Sequence, residues 1–242
     1  MSANKHGLNR HLPEDVRRCV RIRCGFGCAI CGTAITDYEH FYPDFVDAEK
    51  HDANKIVLLC PDHHRLVTNK IIPKEQVAAA SENPAAIQNG FASVNHPWFN
   101  GLPSLQFGGG VVASGMRYPV RVYGTDLISF ENPEEGSKVT RISAKIGDKF
   151  GKSILEIVDN EWKIFHGDLD FKAQGNRYIF KQKNGEIALQ LRFEAPNLLS
   201  IEKMITVIKG IPIVVTEDFV KIATMEMRGG MISGGQIGIC VN

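Results

Sequence analysis

The segment Cys28-Ala29-Ile30-Cys31-Gly32 opens a stretch that runs on through Asp37-Tyr38-Glu39-His40 and closes at Leu58-Leu59-Cys60-Pro61-Asp62-His63-His64. Two ligand pairs, Cys28/Cys31 and Cys60/His63, each have two residues between them. A structural zinc ion takes four tetrahedral soft or borderline ligands, commonly as two close pairs from separate segments, and these pairs would supply them. Cys24 could substitute for Cys28, but the two-residue spacing selects Cys28 and Cys31. Cys19 and Cys240 stand alone and are expected to be core residues. The start, Met1-Ser2-Ala3-Asn4-Lys5-His6, lacks the apolar centre of an export signal. The expected setting is therefore cytoplasmic and reducing, where cysteine pairs read as metal ligands rather than disulfides.

Outward from this stretch the pattern is one of short elements. Pro13-Glu14-Asp15 predicts a helix start, with proline in the first turn and acids at the positive end. Val16, Cys19 and Val20 give that helix an apolar stripe. Arg17, Arg18, Arg21 and Arg23 occupy the remaining faces, either as a solvated surface or as a row that contacts phosphate. Gly25 and Gly27 end the helix. A knuckle from Ala29 then leads to a strand ending at Glu39-His40. After a loop over 41–54, Ile56–Leu59 reads as a buried strand, and Pro61 opens a helix carrying His63, His64, Leu66 and Val67. Pro73-Lys74-Glu75 predicts a further helix to about Glu82, and Pro84 a second short one. A segment this small has little apolar core of its own, so a metal clip would supply much of its folding free energy. The clip would also fix the strand ending at His40 against the helix carrying His64.

Together, Cys28-x-x-Cys31, Glu39-His40, Asn54 and Leu59-Cys60-x-x-His63-His64 resemble the HNH endonuclease family, with its ββα-metal core, over about residues 13–70. In many members the second pair is Cys-x-x-Cys followed at once by His. Here His63 stands at the last Cys position and His64 at the motif His, which leaves open which of the two binds zinc. The resemblance implies that His40 is the general base and that Glu39 and His64 hold one catalytic divalent ion, Mg²⁺ or Mn²⁺. It implies that Asn54 orients His40, and that the products carry 5′-phosphate and 3′-hydroxyl ends. The family asparagine commonly lies about five residues before the second-pair cysteine. Asn54 lies six before Cys60, and Lys55 takes the expected place, so His51 and Asp52 are alternatives for this role.

The chain has 242 residues, 43% hydrophobic and 23% charged, as in globular proteins. No apolar run reaches the roughly 18–20 residues of a membrane span. The formal net charge is +1, and residues 1–75 carry 11 Lys/Arg against 10 Asp/Glu, so any phosphate contact has to be local. The organisation expected is a polar arm over 1–12, an HNH nuclease domain over 13–72, a helical and loop linker over 73–100, and a β-rich domain over 101–242. Strands are predicted at Val120–Gly124, Leu127–Glu131, Val139–Ile146, Ile154–Val158, Trp162–His166, Tyr178–Lys181, Ile187–Phe193, Leu198–Val207 and Ile211–Val215. The Gly-Gly-rich tail over 229–235 reads as a flexible end or a subunit contact. The fold class is thus α+β: a small zinc-stapled ββα-metal domain followed by a mostly antiparallel all-β domain, sandwich or barrel.

These readings favour an endonuclease acting on DNA, with RNA left open as substrate. Fusion to an unrelated β domain suggests, by analogy, a restriction or anti-phage effector. The alternative is a non-enzymatic zinc module that binds nucleic acid or protein. The β domain would sense a ligand, recognise a target or form a homo-oligomer. Trp162, Phe165 and Tyr178 would line a ligand pocket there if they are not simply core.

Overall fold

The computed structural model describes residues 3–95, 99, 101–165 and 169–242. Internal contacts divide the chain into two compact units, Met1–Val94 with Ile164–Asp170, and Asn95–Lys163 with Phe171–Asn242. The division falls a few residues before the expected boundary near residue 100. A short piece of the C-terminal half belongs to the first unit.

In the first unit, helix α1 (Glu14–Arg23) follows Pro13, with Glu14 and Asp15 in its first turn and Arg21 and Arg23 in its last. Strands β1 (Asp37–His40) and β2 (Ile56–Leu59) pair antiparallel, setting His40 opposite Ile56 and Asp37 opposite Leu59. All four residues of β2 are buried, which explains why this run is apolar throughout rather than alternating. Helix α2 (Pro61–Thr68) starts directly after β2, with Pro61 in its first turn. Helices α3 (Lys74–Glu82) and α4 (Ala85–Asn89) follow, and Gly90 ends α4 in the left-handed conformation at φ 80°. Val20, Phe41, Val67 and Val77 pack with β2 in one core. Residues 73–94 of the expected linker thus belong to the unit, where Val77 and Ala86 are fully buried. Strand β3 (Phe91–Asn95), not foreseen, is bridged to the knuckle through Thr33 and Ser93.

The arm is also more ordered than its polarity suggested. The Asn4 side-chain amide donates to the carbonyls of Phe45 and Ala48 at 2.6 and 2.7 Å, anchoring it to the loop between β1 and β2.

The second unit is two sheets. Its strands in order are β4 (Ser104–Phe107), β5 (Val111–Ala113), β6 (Tyr118–Val122), β7 (Thr125–Glu131), β8 (Arg141–Gly147), β9 (Ser153–Val158) and β10 (Glu161–Phe165). They continue with β11 (Leu169–Gln174), β12 (Arg177–Gln182), β13 (Ile187–Glu194), β14 (Leu198–Ile208), β15 (Ile211–Val215), β16 (Val220–Ile222), β17 (Met225–Met227), β18 (Gly230–Ile232) and β19 (Ile237–Val241). One sheet runs β19-β6-β7-β8-β9-β10 and the other β11 through β17 in sequence order. The long strand β14 pairs β13 through its first part and β15 through its last, while β4 lies parallel along Leu198–Ile201. Trp162 on β10 meets Tyr178 and Phe193 of the other sheet, at 5.5 and 5.4 Å between ring centroids, so the sheets face each other as in a sandwich.

Several expectations change here. The tail is not a loose end: β18 pairs parallel with β5, and β19 with β6. With β4 beside β14 this makes three parallel pairings, so the mostly antiparallel unit has a parallel component set by its chain ends. Trp162 and Tyr178 are core residues at 1% and 4% exposure, not the wall of a pocket. His166, the expected end of one strand, lies outside the described residues.

Arg21 is buried in the first unit, donating from Nε and Nη2 to both carboxylate oxygens of Asp170 at 2.7 Å. Its Nη1 donates to the Tyr38 hydroxyl at 2.7 Å and Nη2 also to Glu14 at 2.8 Å. Breaking one side of such a buried pair leaves an unmatched charge. Arg21→Met is therefore expected to cost about 3–5 kcal/mol in urea unfolding, and adding Asp170→Leu to recover most of it. A single variant as stable as wild type would show that this pair does not hold the segment to the unit.

Candidate metal centre and adjacent cleft

The metal centre is built by two turns. After α1 the chain reverses at Gly27, where a Cβ would lie 2.5 Å from the Gly32 carbonyl oxygen and 2.9 Å from the Ala86 methyl group. The knuckle closes as Cys28 N–H donates to the Thr33 carbonyl and Gly32 N–H to the Cys28 carbonyl, both at 2.8 Å, with Gly32 at φ 78°. Ala29 N–H donates to the Leu58 carbonyl at 2.9 Å, tying the knuckle to β2. From β2 the chain passes through Cys60 into α2, and the first turn of that helix brings His63 back beside Cys60.

The ligand atoms of Cys28, Cys31, Cys60 and His63 all lie within 4.8 Å of one another. His63 Nδ1 is 3.5 Å from Cys28 Sγ and 3.2 Å from Cys60 Sγ, and Cys31 Sγ is 3.8 Å from Cys60 Sγ. Zinc bonds of about 2.3 Å to sulfur and 2.0–2.1 Å to nitrogen, set tetrahedrally, give about 3.8 Å between sulfurs and about 3.6 Å from sulfur to nitrogen. The four side chains therefore can hold a metal ion such as zinc. The Cys31 thiol is pushed below the usual thiol range, first by the hydrogen bond from Cys28, and burial adds to the opposite shift at Cys28. A thiolate is the form that binds metal. His63 takes the fourth position, while His64 points elsewhere.

His64 Nε2 lies 3.1 Å from Glu39 Oε2, joining α2 to β1. The other Glu39 oxygen receives Lys74 Nζ at 3.2 Å; the same ammonium donates to the His40 carbonyl at 2.8 Å and contacts Asp44. Glu39, His40, His64 and Lys74 line one cleft of about 880 Å³, with Arg10, Asp44 and Phe45 on its walls. His40 is buried, at 8% exposure. Burial first, then the neighbouring charges of His51, Lys74 and Arg10, holds its imidazole down to about 4, so the ring is neutral near pH 7.

Asn54 does not join this group. It is exposed on a short 3₁₀ turn, Ala53–Lys55, where its backbone N–H donates to Asp52 Oδ1 at 2.9 Å. The residue bonded to His40 is His51, whose Nδ1 lies 3.2 Å from His40 Nε2. His51 Nε2 in turn lies 2.8 Å from the Asn9 carbonyl oxygen.

The arginine row divides. Arg21 is consumed by the internal pair with Asp170, and Arg23 donates to the carbonyls of Ala53, at 2.9 Å, and Ile56. Arg21 and the half-buried Arg23 thus have internal partners where phosphate contacts were expected. Arg17 sits 5.4 Å over the Tyr38 ring and 3.7 Å from Glu14, and Arg18 is half-buried on the same helix.

Sequence reasoning read Lys74 only as a helix start and Asn9 and Arg10 only as parts of an arm. No local pattern marks them, since Lys74 and Arg10 reach the cleft, and Asn9 reaches His51, by tertiary packing. Comparison with known proteins adds no relative: no family model matches the chain, and no curated protein or solved structure matches it significantly. Among the described residues, no helix is long and apolar enough to cross a membrane.

Proposed function

We propose that the first unit is a zinc-stapled, divalent-metal-dependent endonuclease of the HNH kind that hydrolyses DNA phosphodiester bonds. The observation that supports this best is the convergence of Glu39, His40 and His64 on one cleft beside the Cys/His cluster. A purely structural knuckle has no use for a buried neutral histidine next to a carboxylate–histidine pair. Glu39 and His64 would hold one Mg²⁺ or Mn²⁺, the carboxylate as the oxygen donor such ions favour and the imidazole as an added nitrogen donor, with room in the cleft for water and phosphate oxygens. Bound there, the ion would stabilise charge developing on the scissile phosphate and the leaving oxygen.

The chain's own residues do the rest. Neutral His40 takes the proton of a water whose oxygen attacks phosphorus, the P–O3′ bond breaks, and the 3′-oxygen is protonated from solvent. Lys74 holds Glu39 in place and adds positive charge where the phosphate would lie. The β-rich unit would then recognise the target or sense a signal, as in a restriction or anti-phage effector.

The test is nicking of supercoiled plasmid by the full-length protein. Cutting is expected with Mg²⁺ or Mn²⁺ and not with the zinc-loaded protein alone. Glu39→Ala and His64→Ala should each lower it about 10–100-fold and raise the metal concentration needed. Undiminished cutting by both variants would move the metal site elsewhere. Plasmid binding with no cutting under any metal would favour the non-enzymatic zinc module, a reading also in keeping with the near-balanced charge.

A further inference from the structure

We propose that His51, and not Asn54, is the positioning residue of the cleft, fixing His40 in the tautomer whose Nδ1 carries the free lone pair and is the atom that accepts the proton. This rests on the nuclease reading above and adds the group that orients its base. The proton positions are set along a chain of three groups. A carbonyl oxygen can only accept, so at 2.8 Å from the Asn9 oxygen the His51 Nε2 must be the donor. A neutral imidazole has one N–H, which leaves His51 Nδ1 as an acceptor. His40 Nε2, 3.2 Å away, must then donate to it. His40 has spent its single N–H in doing so, and only Nδ1 remains to receive a proton.

The relay is held from several sides. Phe45 stacks on His51 with 11° between the rings, and the Arg10 guanidinium lies 5.2 Å over the Phe45 ring. The arm that supplies the Asn9 carbonyl is tied down by Asn4 to Phe45 and Ala48. The resemblance to HNH proteins placed an asparagine in this role; the chemistry that role needs is an acceptor beside the base, and a histidine relayed to a carbonyl supplies it.

The experiment combines two readouts on zinc-loaded, full-length protein: plasmid nicking, and two-bond ¹H–¹⁵N correlation of the histidine rings, with the His40 signals assigned by their loss in His40→Ala. Wild-type His40 is expected to show a protonated Nε2 and a bare Nδ1. His51→Phe keeps a ring against Phe45 but removes the acceptor. It should lower kcat about 10–100-fold with little change in KM for the plasmid, and give His40 a mixed tautomer signal. His51→Asn sets an amide oxygen near the former Nδ1 position and should recover most of the rate and the wild-type pattern. Wild-type rates in His51→Phe while His40→Ala is inactive would overturn the positioning role, as would a wild-type His40 protonated on Nδ1. Both results leave the nuclease reading standing. A wild type that cuts nothing with Mg²⁺ or Mn²⁺ removes that reading and the positioning role together.

Discussion

Cys60→Ser is expected to leave the protein without zinc and the first unit without a stable fold. Cys60 lies at the junction of β2 and α2, with its sulfur 3.2 Å from His63 Nδ1 and 3.8 Å from Cys31 Sγ, so its loss removes a ligand shared geometrically by both turns. Structural zinc sites in small modules supply about 10–16 kcal/mol of apparent binding free energy, more than the whole stability of an ordinary domain. The apolar core around β2 has Ile56, Leu58, Leu59 and Phe41 as its large buried side chains, with Leu12, Ile30, Tyr38 and Ile72 only partly buried against it, and is not expected to offset that loss. Metal analysis should find one zinc per wild-type chain and essentially none in the variant. Limited proteolysis should then cut within residues 13–94 while spectroscopic signals of the β-rich unit persist. A metal-free variant that resists protease as wild type does would show that the cluster is not what holds the unit together.

The second large effect is on chemistry. His40→Ala should lower single-turnover plasmid cutting by about 10²–10⁴-fold, the usual contribution of a positioned general base, while plasmid affinity changes little. The separation is expected because His40 is buried, neutral and bonded within the protein, and so offers no charge to DNA in the ground state. On the proposed reading, replacing it removes a group used only as the water loses its proton. A variant that binds plasmid poorly but cuts at the wild-type rate once bound would move His40 from catalysis to binding.

Much of the first unit could be read from sequence because its signals are local. Pro13, Pro61, Pro73 and Pro84 each stand at the start of a helix, and the apolar run Ile56–Leu59 is β2 to the residue. The ligand pairs were visible for the same reason, since the turns that create them lie within four residues. What was not visible depends on distant partners. Arg21 looks like a surface residue of α1 until Asp170, 149 positions away, is placed against it. Lys74 reaches Glu39 across 35 positions, and the bond between His51 and Asn9 needs the arm to fold back. In the second unit β6 to β10 and β12 to β15 were legible through alternation, whereas β11 and the short antiparallel strands β16 and β17 were not. Strands β4, β5 and β18 were not either: Gly108–Gly110 and Gly229–Gly230 read as breaks, and besides the local antiparallel β4–β5 pair, β4 and β18 are placed by parallel, long-range pairings.

The most direct measurement is nicking of supercoiled plasmid by wild type beside His40→Ala, each at full length, each shown to hold one zinc, and each assayed with Mg²⁺ or Mn²⁺ and with the divalent ion withheld. Matching the zinc content separates chemistry from folding. Cutting by wild type is expected to require the added ion and to be lost in the variant. Equal cutting by both zinc-loaded proteins, or none by wild type with either ion, would contradict it.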